Sequence, residues 1–288
     1  MTLSPIVAGM WRAHAWGLDA AGLARWIEEA LALGITTFDH ADIYGSYSVE
    51  ALFGQALAAA PGLRERMQIV TKCGIRQVCP QRPAHAIKSY DTSRAHVLAS
   101  VDGSLQALQT DRIDLLLIHR PDLLMDPEEL ADTFRHLQAA GKVLRFGVSN
   151  HTPGQLAMLR KRHPLVTNQI EFSPLQMQAL ADGTLEQCLD LGLRPMAWSP
   201  LGGGRLFSGD DAQVLRVRTV LQELAWMQGT SLATMAYAWV LRHPSLPRPI
   251  TGTQRIEALG EAVAALDIRL AAEDWYRVWQ ASIGHDVR

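Results

Sequence analysis

Residues 113–119 read Ile-Asp-Leu-Leu-Leu-Ile-His, and the positions from Leu115 to Ile118 are all apolar. A strand with one face in solvent alternates apolar and polar residues, whereas an unbroken apolar strand is buried on both faces. Burial on both faces is typical of parallel strands that are covered by helices. This stretch therefore predicts an α/β protein with a parallel sheet.

Similar short runs recur along the chain, separated by segments whose apolar residues have helical spacing. The predicted strands are Ile6–Trp11, Thr36–Ala41, Met67–Cys73, Ile113–His119, Leu144–Ser149, Leu165–Ile170, Arg194–Ser199 and Arg248–Thr251. Between the first two, Asp19 can cap a helix and Gly34 can end it. This alternation predicts a closed (β/α)8 TIM barrel, with a doubly wound open sheet as the alternative.

Length and composition fit one domain that spans residues 1–288. The chain has 288 residues, 48% of them hydrophobic, and TIM barrels typically have about 250. The formal net charge is −2 and no Lys/Arg-rich run is present, so we expect no nucleic-acid partner. No apolar run reaches the roughly 18–20 residues that span a bilayer, and the first residues lack the pattern of a secretory signal. We therefore expect a cytoplasmic protein without a membrane partner.

Polar residues stand where the predicted strands end. In a TIM barrel the active site lies at the C-terminal ends of the strands and in the loops that follow them. Those positions hold Asp39, Tyr44, Lys72, His119, Ser149, Asn150, Gln169 and Ser199. One such residue alone is weak support, because a histidine or lysine at a strand end can be structural. Together they predict one polar site at this end of the barrel.

A series of motifs follows one another along the chain. They are Gly34-Ile-Thr-Thr-Phe-Asp39-His-Ala-Asp-Ile-Tyr44-Gly45, Ile69-Val-Thr-Lys72, Asp114-Leu-Leu-Leu-Ile-His119, Phe146-Gly-Val-Ser149-Asn150, Asn168-Gln169-Ile-Glu171, Ala197-Trp-Ser199-Pro-Leu201 and Pro249-Ile-Thr-Gly252. Their order resembles that of the aldo/keto reductase family over nearly the whole chain. The resemblance implies a (β/α)8-barrel oxidoreductase that reduces the carbonyl of an aldehyde or ketone with a nicotinamide cofactor.

The resemblance assigns catalysis to Asp39, Tyr44, Lys72 and His119. Carbonyl reduction needs a proton on the developing alkoxide, and a tyrosine hydroxyl has an ordinary pKa near ~10. We expect the Lys72 ammonium to lower the pKa of Tyr44, and Asp39 to hold that ammonium charged and in place. His119 is expected to donate a hydrogen bond to the substrate oxygen. The alternative is an ordinary Asp–Lys salt bridge beside a structural tyrosine.

The cofactor site is expected across the barrel mouth. The chain has no G-x-G-x-x-G motif after a strand and no G-x-x-x-x-G-K-[ST] motif. The resemblance implies that Ser149, Asn150 and Gln169 bind the nicotinamide carboxamide. It also implies that Trp198 stacks under the ring, although a tryptophan within a strand can instead belong to the core.

Two segments are expected to bind the phosphates. The run Ser199-Pro-Leu201-Gly202-Gly203-Gly204-Arg205 allows close backbone approach with available N–H groups and a positive charge, unless it is a flexible turn. Gly252-Thr253-Gln254-Arg255 precedes a predicted helix, Ile256–Leu266, whose N-terminus suits the 2′-phosphate of NADPH. We therefore expect NADPH rather than NADH, although Arg255 can also be a solvated helix-start residue. The family often has asparagine, which helps to hold adenine, where this chain has Ala262, so that contact is lost and Glu261 remains as a candidate for adenine binding.

The substrate site is less defined by the sequence. Residues 74–91 form a predicted long loop at the active-site end, and loops of this length are usually functional or disordered. Trp11 and Arg76 are the candidates for binding a small carbonyl substrate.

No metal site is expected, because the cysteines lack matching ligands. The oligomeric state is left open. A slow nicotinamide-binding redox sensor and a Schiff-base aldolase using Lys72 are the alternative functions.

Overall fold

The barrel strands of the computed structural model, which describes residues 2–287, overlap the eight predicted strands, and seven of them are shorter than predicted. They are β1 (Val7–Gly9), β2 (Thr37–Asp39), β3 (Gln68–Cys73), β4 (Leu115–Ile118), β5 (Phe146–Ser149), β6 (Asn168–Glu171), β7 (Met196–Trp198) and β8 (Arg248–Thr251). Within residues 2–287 these strands form a closed barrel in the order β1-β8-β7-β6-β5-β4-β3-β2. The predicted (β/α)8 TIM barrel is confirmed, and the open-sheet alternative is wrong.

Helices alternate with the strands. In the described residues they are α1 (Ala20–Ala32), α2 (Val49–Ala59), α3 (Arg94–Leu108), α4 (Pro127–Ala139), α5 (Pro153–Arg160), α6 (Thr184–Asp190), α7 (Arg205–Ser208), α8 (Ala212–Met227), α9 (Leu232–Leu241), α10 (Ile256–Ala264) and α11 (Ala272–Ile283). The predicted cap is present, since Asp19 Oδ1 accepts a hydrogen bond from Gly22 N at 2.7 Å. None of the helices in residues 2–287 has the length and apolar character that crossing a membrane requires.

The chain divides into two compact units. The first comprises the described residues up to Asn168 together with Gly252–Gln254. In it, β1 to β5 pair in sequence order and every pairing is parallel. Parallel pairing brings the C-terminal ends of β2, β3, β4 and β5 to one edge of the sheet, where the candidate catalytic residues stand.

The second unit comprises Gln169–Thr251 and the described residues from Arg255 onward. In it β6 pairs with β7, and β7 with β8, all in parallel. A buried pair of indoles lies in its core: the rings of Trp239 and Trp275 are 4.9 Å apart and only 2° from parallel. Each indole N–H donates to the backbone carbonyl of the other tryptophan, at 3.0 and 3.1 Å. These bonds satisfy both buried donors and fix α9 against α11.

The segment 74–91 is more regular than a long irregular loop. Ile75–Arg76 pairs antiparallel with Ser89–Tyr90, so the segment is a hairpin that stands outside the barrel. Its base is closed by a hydrogen bond from Asp91 N to Gly74 O, at 3.0 Å. The sequence lacked the strand signal that would predict this pairing, because each strand has only two residues.

Candidate active site

The ammonium of Lys72 is the centre of the site, and it contacts two of the other three predicted catalytic residues. Lys72 lies in β3 and is 1% exposed. Its Nζ donates to Asp39 Oδ2 at 2.8 Å, to the backbone oxygen of His40 at 2.6 Å and to Tyr44 Oη at 2.9 Å. Three acceptors match the three protons of an ammonium. The cation therefore bridges the carboxylate at the end of β2 to the phenol that follows it.

His119 stands beside this group, directly after β4. Its ring centroid lies 6.0 Å from that of Tyr44, in an edge-to-face arrangement. The backbone N–H of His119 donates to Cys73 O at 2.9 Å, which places the residue next to the end of β3. Burial, followed by the nearby charges of Lys72 and Arg120, lowers the pKa of His119 well below its usual value. The imidazole is therefore neutral, with one N–H to donate.

Burial has the largest effect on the pKa of Tyr44. It raises the pKa of Tyr44 above 10.0, and the Lys72 charge lowers that pKa only in part. Lys72 lowers the pKa of Tyr44 as expected, but the cost of burying a phenolate exceeds the attraction of the ammonium, so the pKa remains above its ordinary value. Tyr44 is accordingly a neutral phenol at pH 7, which is the form that can donate a proton.

Lys72 remains a cation despite its burial. Desolvation disfavours the ammonium, but Asp39 and Tyr44 outweigh desolvation and raise the pKa of Lys72. A lysine that attacks a carbonyl needs a lowered pKa, so that its amine is unprotonated. This environment does not favour the Schiff-base aldolase considered from the sequence.

His40 and Glu50 are buried groups next to this site. Neither ring nitrogen of His40 has a hydrogen-bond partner in residues 2–287, and burial lowers its pKa to about 3, so the ring packs as an apolar group edge-on to Phe53. Glu50 accepts hydrogen bonds from Thr71 Oγ at 2.5 Å and Ser104 Oγ at 2.9 Å. Glu50 therefore ties α2 and α3 to the residue that precedes Lys72. Sequence reasoning gave Glu50 no role.

Ser149 and Asn150 form a strained turn at the end of β5. Asn150 has φ +58°, and its Nδ2 donates to Ser149 Oγ at 2.8 Å. The buried side chain of Asn168 bonds to both backbone groups of His151, the residue that follows Asn150. Its Nδ2 donates to His151 O at 2.8 Å, and its Oδ1 accepts from His151 N at 3.4 Å. Asn168 thus helps to hold the turn, a role that sequence reasoning missed although the adjacent Gln169 was selected.

The nicotinamide and pyrophosphate candidates of the second unit lie on two of its strands and the loop that follows them. Gln169 is buried in β6, and Trp198 is half-buried at the end of β7. After β7, Ser199 has φ +51°, and the three glycines that follow Leu201 also have positive φ. The N–H groups of Gly202 and Gly204 bond to Ser199 O and Leu201 O, so they are not available to a ligand in this conformation, contrary to expectation.

Charged and polar candidates near this loop and near β8 have defined partners. Arg205 Nη2 contacts Asp211 Oδ2 at 2.8 Å, and both side chains are about half exposed. Arg255 is exposed at the start of α10, after Gly252 and Thr253. The backbone oxygen of Glu261 accepts a hydrogen bond from Thr234 Oγ at 3.0 Å.

Gln254 and the two substrate candidates belong to the first unit. Gln254 Nε2 donates to Trp16 O at 3.0 Å, and Gln254 O accepts from the indole of Trp26 at 2.9 Å. Trp11 is 57% exposed, as an apolar wall facing a ligand would be. Arg76 Nη1 lies 3.3 Å from Asp91 Oδ2 and therefore helps to close the base of the hairpin.

Comparison with known proteins decides the family. The model of the Aldo/keto reductase family matches residues 5–283, which is nearly the whole chain. The chain belongs to the aldo/keto reductase family. Members of this family are oxidoreductases that use nicotinamide cofactors.

Individual relatives match along nearly their full length. Oxidoreductase YdhF of Escherichia coli is 51% identical, over 99% of this chain and 95% of the relative. A 6-dehydroglucose reductase of Agrobacterium fabrum is 43% identical, over 100% of this chain and 97% of the relative. The solved structure of the thermostable aldo-keto reductase Tm1743, in complex with the inhibitor epalrestat, has 25% identity and a TM-score of 0.80, covering 97% of this chain and 95% of that one.

Proposed function

We propose that this protein reduces the carbonyl group of an aldehyde or ketone to an alcohol, using NADPH, with Tyr44 as the general acid. The observation that carries the proposal is the contact of Lys72 Nζ with both Asp39 Oδ2 and Tyr44 Oη, at 2.8 and 2.9 Å. A buried cation is therefore in contact with Tyr44 Oη, the oxygen that gives up the proton in this proposal. Membership of a family of oxidoreductases supports the same reaction.

Each catalytic side chain has a distinct task in this proposal. A bound reduced nicotinamide supplies the hydride to the carbonyl carbon. The neutral Tyr44 hydroxyl donates its proton to the developing alkoxide, and Lys72 stabilises the phenolate that remains. Asp39 keeps the ammonium charged and oriented toward Tyr44. The neutral imidazole of His119 donates a hydrogen bond to the substrate oxygen, which fixes that oxygen near the acid.

The described residues fit a nicotinamide nucleotide. The strained turn at Asn150, held by Asn168, keeps polar groups of Ser149 and Asn150 at the end of β5, which suits binding of a carboxamide. We propose Gln169 and Trp198 as further contacts to the nicotinamide. For the remainder of the nucleotide we propose the residues Ser199, Leu201, Gly203, Arg205, Gly252, Thr253, Gln254, Arg255 and Glu261.

The substrate class follows from the relatives rather than from the site itself. Two relatives of nearly full-length coverage, 43% and 41% identical, carry the name 6-dehydroglucose reductase. We therefore propose a sugar-like, polyhydroxylated aldehyde as the first substrate class to assay. Trp11 and Arg76 are proposed to contact it.

Replacing Tyr44 by phenylalanine tests the acid assignment. Tyr44→Phe removes the hydroxyl and keeps the ring, so kcat for carbonyl reduction should fall by about 10²–10⁴-fold. The affinity for NADPH, measured by fluorescence quenching, should remain within about twofold, because the phenol is not assigned to the cofactor. Turnover like that of the wild type would refute the role of Tyr44.

Replacing Arg255 by alanine tests the choice of nucleotide. A guanidinium that binds the 2′-phosphate contributes to NADPH but not to NADH. Arg255→Ala should therefore weaken NADPH by about tenfold or more and leave the Kd of NADH nearly unchanged. Equal losses for both nucleotides, or no loss, would show that Arg255 does not read the 2′-phosphate.

A further inference from the structure

The segment directly after Tyr44 has an unusual backbone. Gly45, Ser46 and Tyr47 have φ values of +57°, +54° and +69°, so three consecutive residues lie in the left-handed region. A side chain at Gly45 would meet Ser48 Oγ at 2.7 Å, which explains the glycine. A serine and an aromatic residue in this region are strained, and such strain persists only where surrounding contacts hold it.

The strained turn presents Tyr47 to the 74–91 hairpin. The guanidinium carbon of Arg82 lies 4.5 Å from the centroid of the Tyr47 ring, within the range of a cation–π interaction. The backbone N–H of Gln77 donates a long hydrogen bond, 3.4 Å, to Tyr47 Oη. His85 Nδ1 contacts Gln77 O at 2.9 Å, so both the backbone N–H and the backbone carbonyl of Gln77 have a side-chain partner.

The same turn is bonded to the backbone of the candidate acid. Ser48 N and Val49 N both donate to Tyr44 O, at 3.1 and 3.3 Å. The hairpin itself begins at Gly74, two residues after Lys72 in the sequence. Two attachments of the 74–91 segment therefore lie next to the site: one through β3, which carries Lys72, and one through the turn that follows Tyr44.

We propose that Tyr47 is a positioning residue that anchors the 74–91 hairpin next to Tyr44 and thereby sets the affinity for the carbonyl substrate. The proposal rests on the proposed carbonyl reduction and adds the element that determines substrate affinity. A tyrosine is neutral at pH 7, and burial raises the pKa of Tyr47 further, so its hydroxyl accepts the hydrogen bond of Gln77 as a neutral phenol. Tyr47 itself takes no part in the proton transfer.

Replacing Tyr47 by alanine separates the effect of its side-chain contacts from that of the backbone conformation of the turn. Alanine has a Cβ, so it disfavours φ +69° as tyrosine does, and the substitution removes the contacts to Arg82 and Gln77 without changing that backbone preference. We expect faster hydrogen–deuterium exchange across residues 74–91 and a KM for the best carbonyl substrate raised by about fivefold or more. The Kd of NADPH should stay within about twofold.

A double-mutant cycle identifies the partner. If Arg82 acts through Tyr47, then Arg82→Ala alone raises KM, and adding it to Tyr47→Ala causes little further change. A KM increase in the double variant equal to the product of the two single increases overturns the pairing. Arg66→Ala is the matched control. Arg66 precedes β3 and forms an exposed ion pair with Glu28, 2.7 Å apart, away from the C-terminal ends of β2 and β3. It should change neither KM nor exchange in 74–91.

The two readouts separate the possible failures. Unchanged exchange of 74–91 in Tyr47→Ala overturns the anchoring. Faster exchange with an unchanged KM overturns the effect on substrate affinity. Failure of the wild-type protein to reduce any of a panel of aldehydes and ketones, sugar aldehydes included, overturns the proposed function and, with it, the substrate part of this proposal. The exchange result is independent of turnover and still decides whether Tyr47 anchors the hairpin.

Discussion

Lys72 shows how a single buried residue organises the chemistry of its neighbours. Its side chain is almost inaccessible, and an unpaired ammonium in that position would be very costly. Asp39 offsets that cost, and the remaining protons are directed to the His40 carbonyl and to Tyr44. The resemblance to the aldo/keto reductase family predicted this contact, because its motifs put Asp39, Tyr44 and Lys72 in one catalytic group. It could not predict that burial governs the pKa of Tyr44, because desolvation depends on the surrounding tertiary structure.

The pH dependence of reduction follows from these residues. Tyr44 must be protonated to act as an acid, and burial raises its pKa above 10.0, so the active form persists through neutral pH and is lost only above that value. His119 stays neutral because burial lowers its pKa well below 6.5. We expect kcat/KM for an uncharged aldehyde to be flat between about pH 6 and 9. An inflection near pH 6.5 that disappears in His119→Asn would show that His119 titrates.

At the scale of elements, the helix starts were predictable and the short connections were not. Asp19, Asp126 and Thr152 each accept hydrogen bonds from the first turn of the following helix, as their residue types indicate. The hairpin in 74–91 and the left-handed turn at 45–47 were not predicted. Their conformations are set by contacts between segments, such as Arg82 with Tyr47, and not by local propensity.

The start of α5 offers a direct test of an element. Thr152 and Gln155 form a reciprocal capping box, in which Thr152 Oγ accepts from Gln155 N and Gln155 Oε1 accepts from Thr152 N. Thr152→Ala should lower the free energy of unfolding by about 1 kcal/mol, measured by urea denaturation. Thr152→Ser keeps the hydroxyl and should lose much less. Equal losses in both variants would assign the effect to the threonine methyl group instead of the cap.

At the scale of the molecule, the barrel was predictable from strand number and spacing. Unbroken apolar runs such as Leu115–Ile118 mark strands buried on both faces, and these runs alternate with helices along the chain. The division into two compact units leaves no mark in the sequence, which lacks a Gly-, Pro- or Ser-rich linker. The interpretation of residues 1–288 as a single domain stays a prediction.

The stacked indoles of Trp239 and Trp275 have an optical consequence. Two stacked indoles 4.9 Å apart couple their electronic transitions, and the circular dichroism of the coupled pair depends on the angle between the two transition dipoles. The contribution of this pair vanishes when α9 and α11 separate, whereas Trp16 and Trp26, whose rings are 4.8 Å apart, contribute from the first unit. The difference between the spectra of the protein and of a Trp275→Phe variant therefore follows the melting of the second unit without a label.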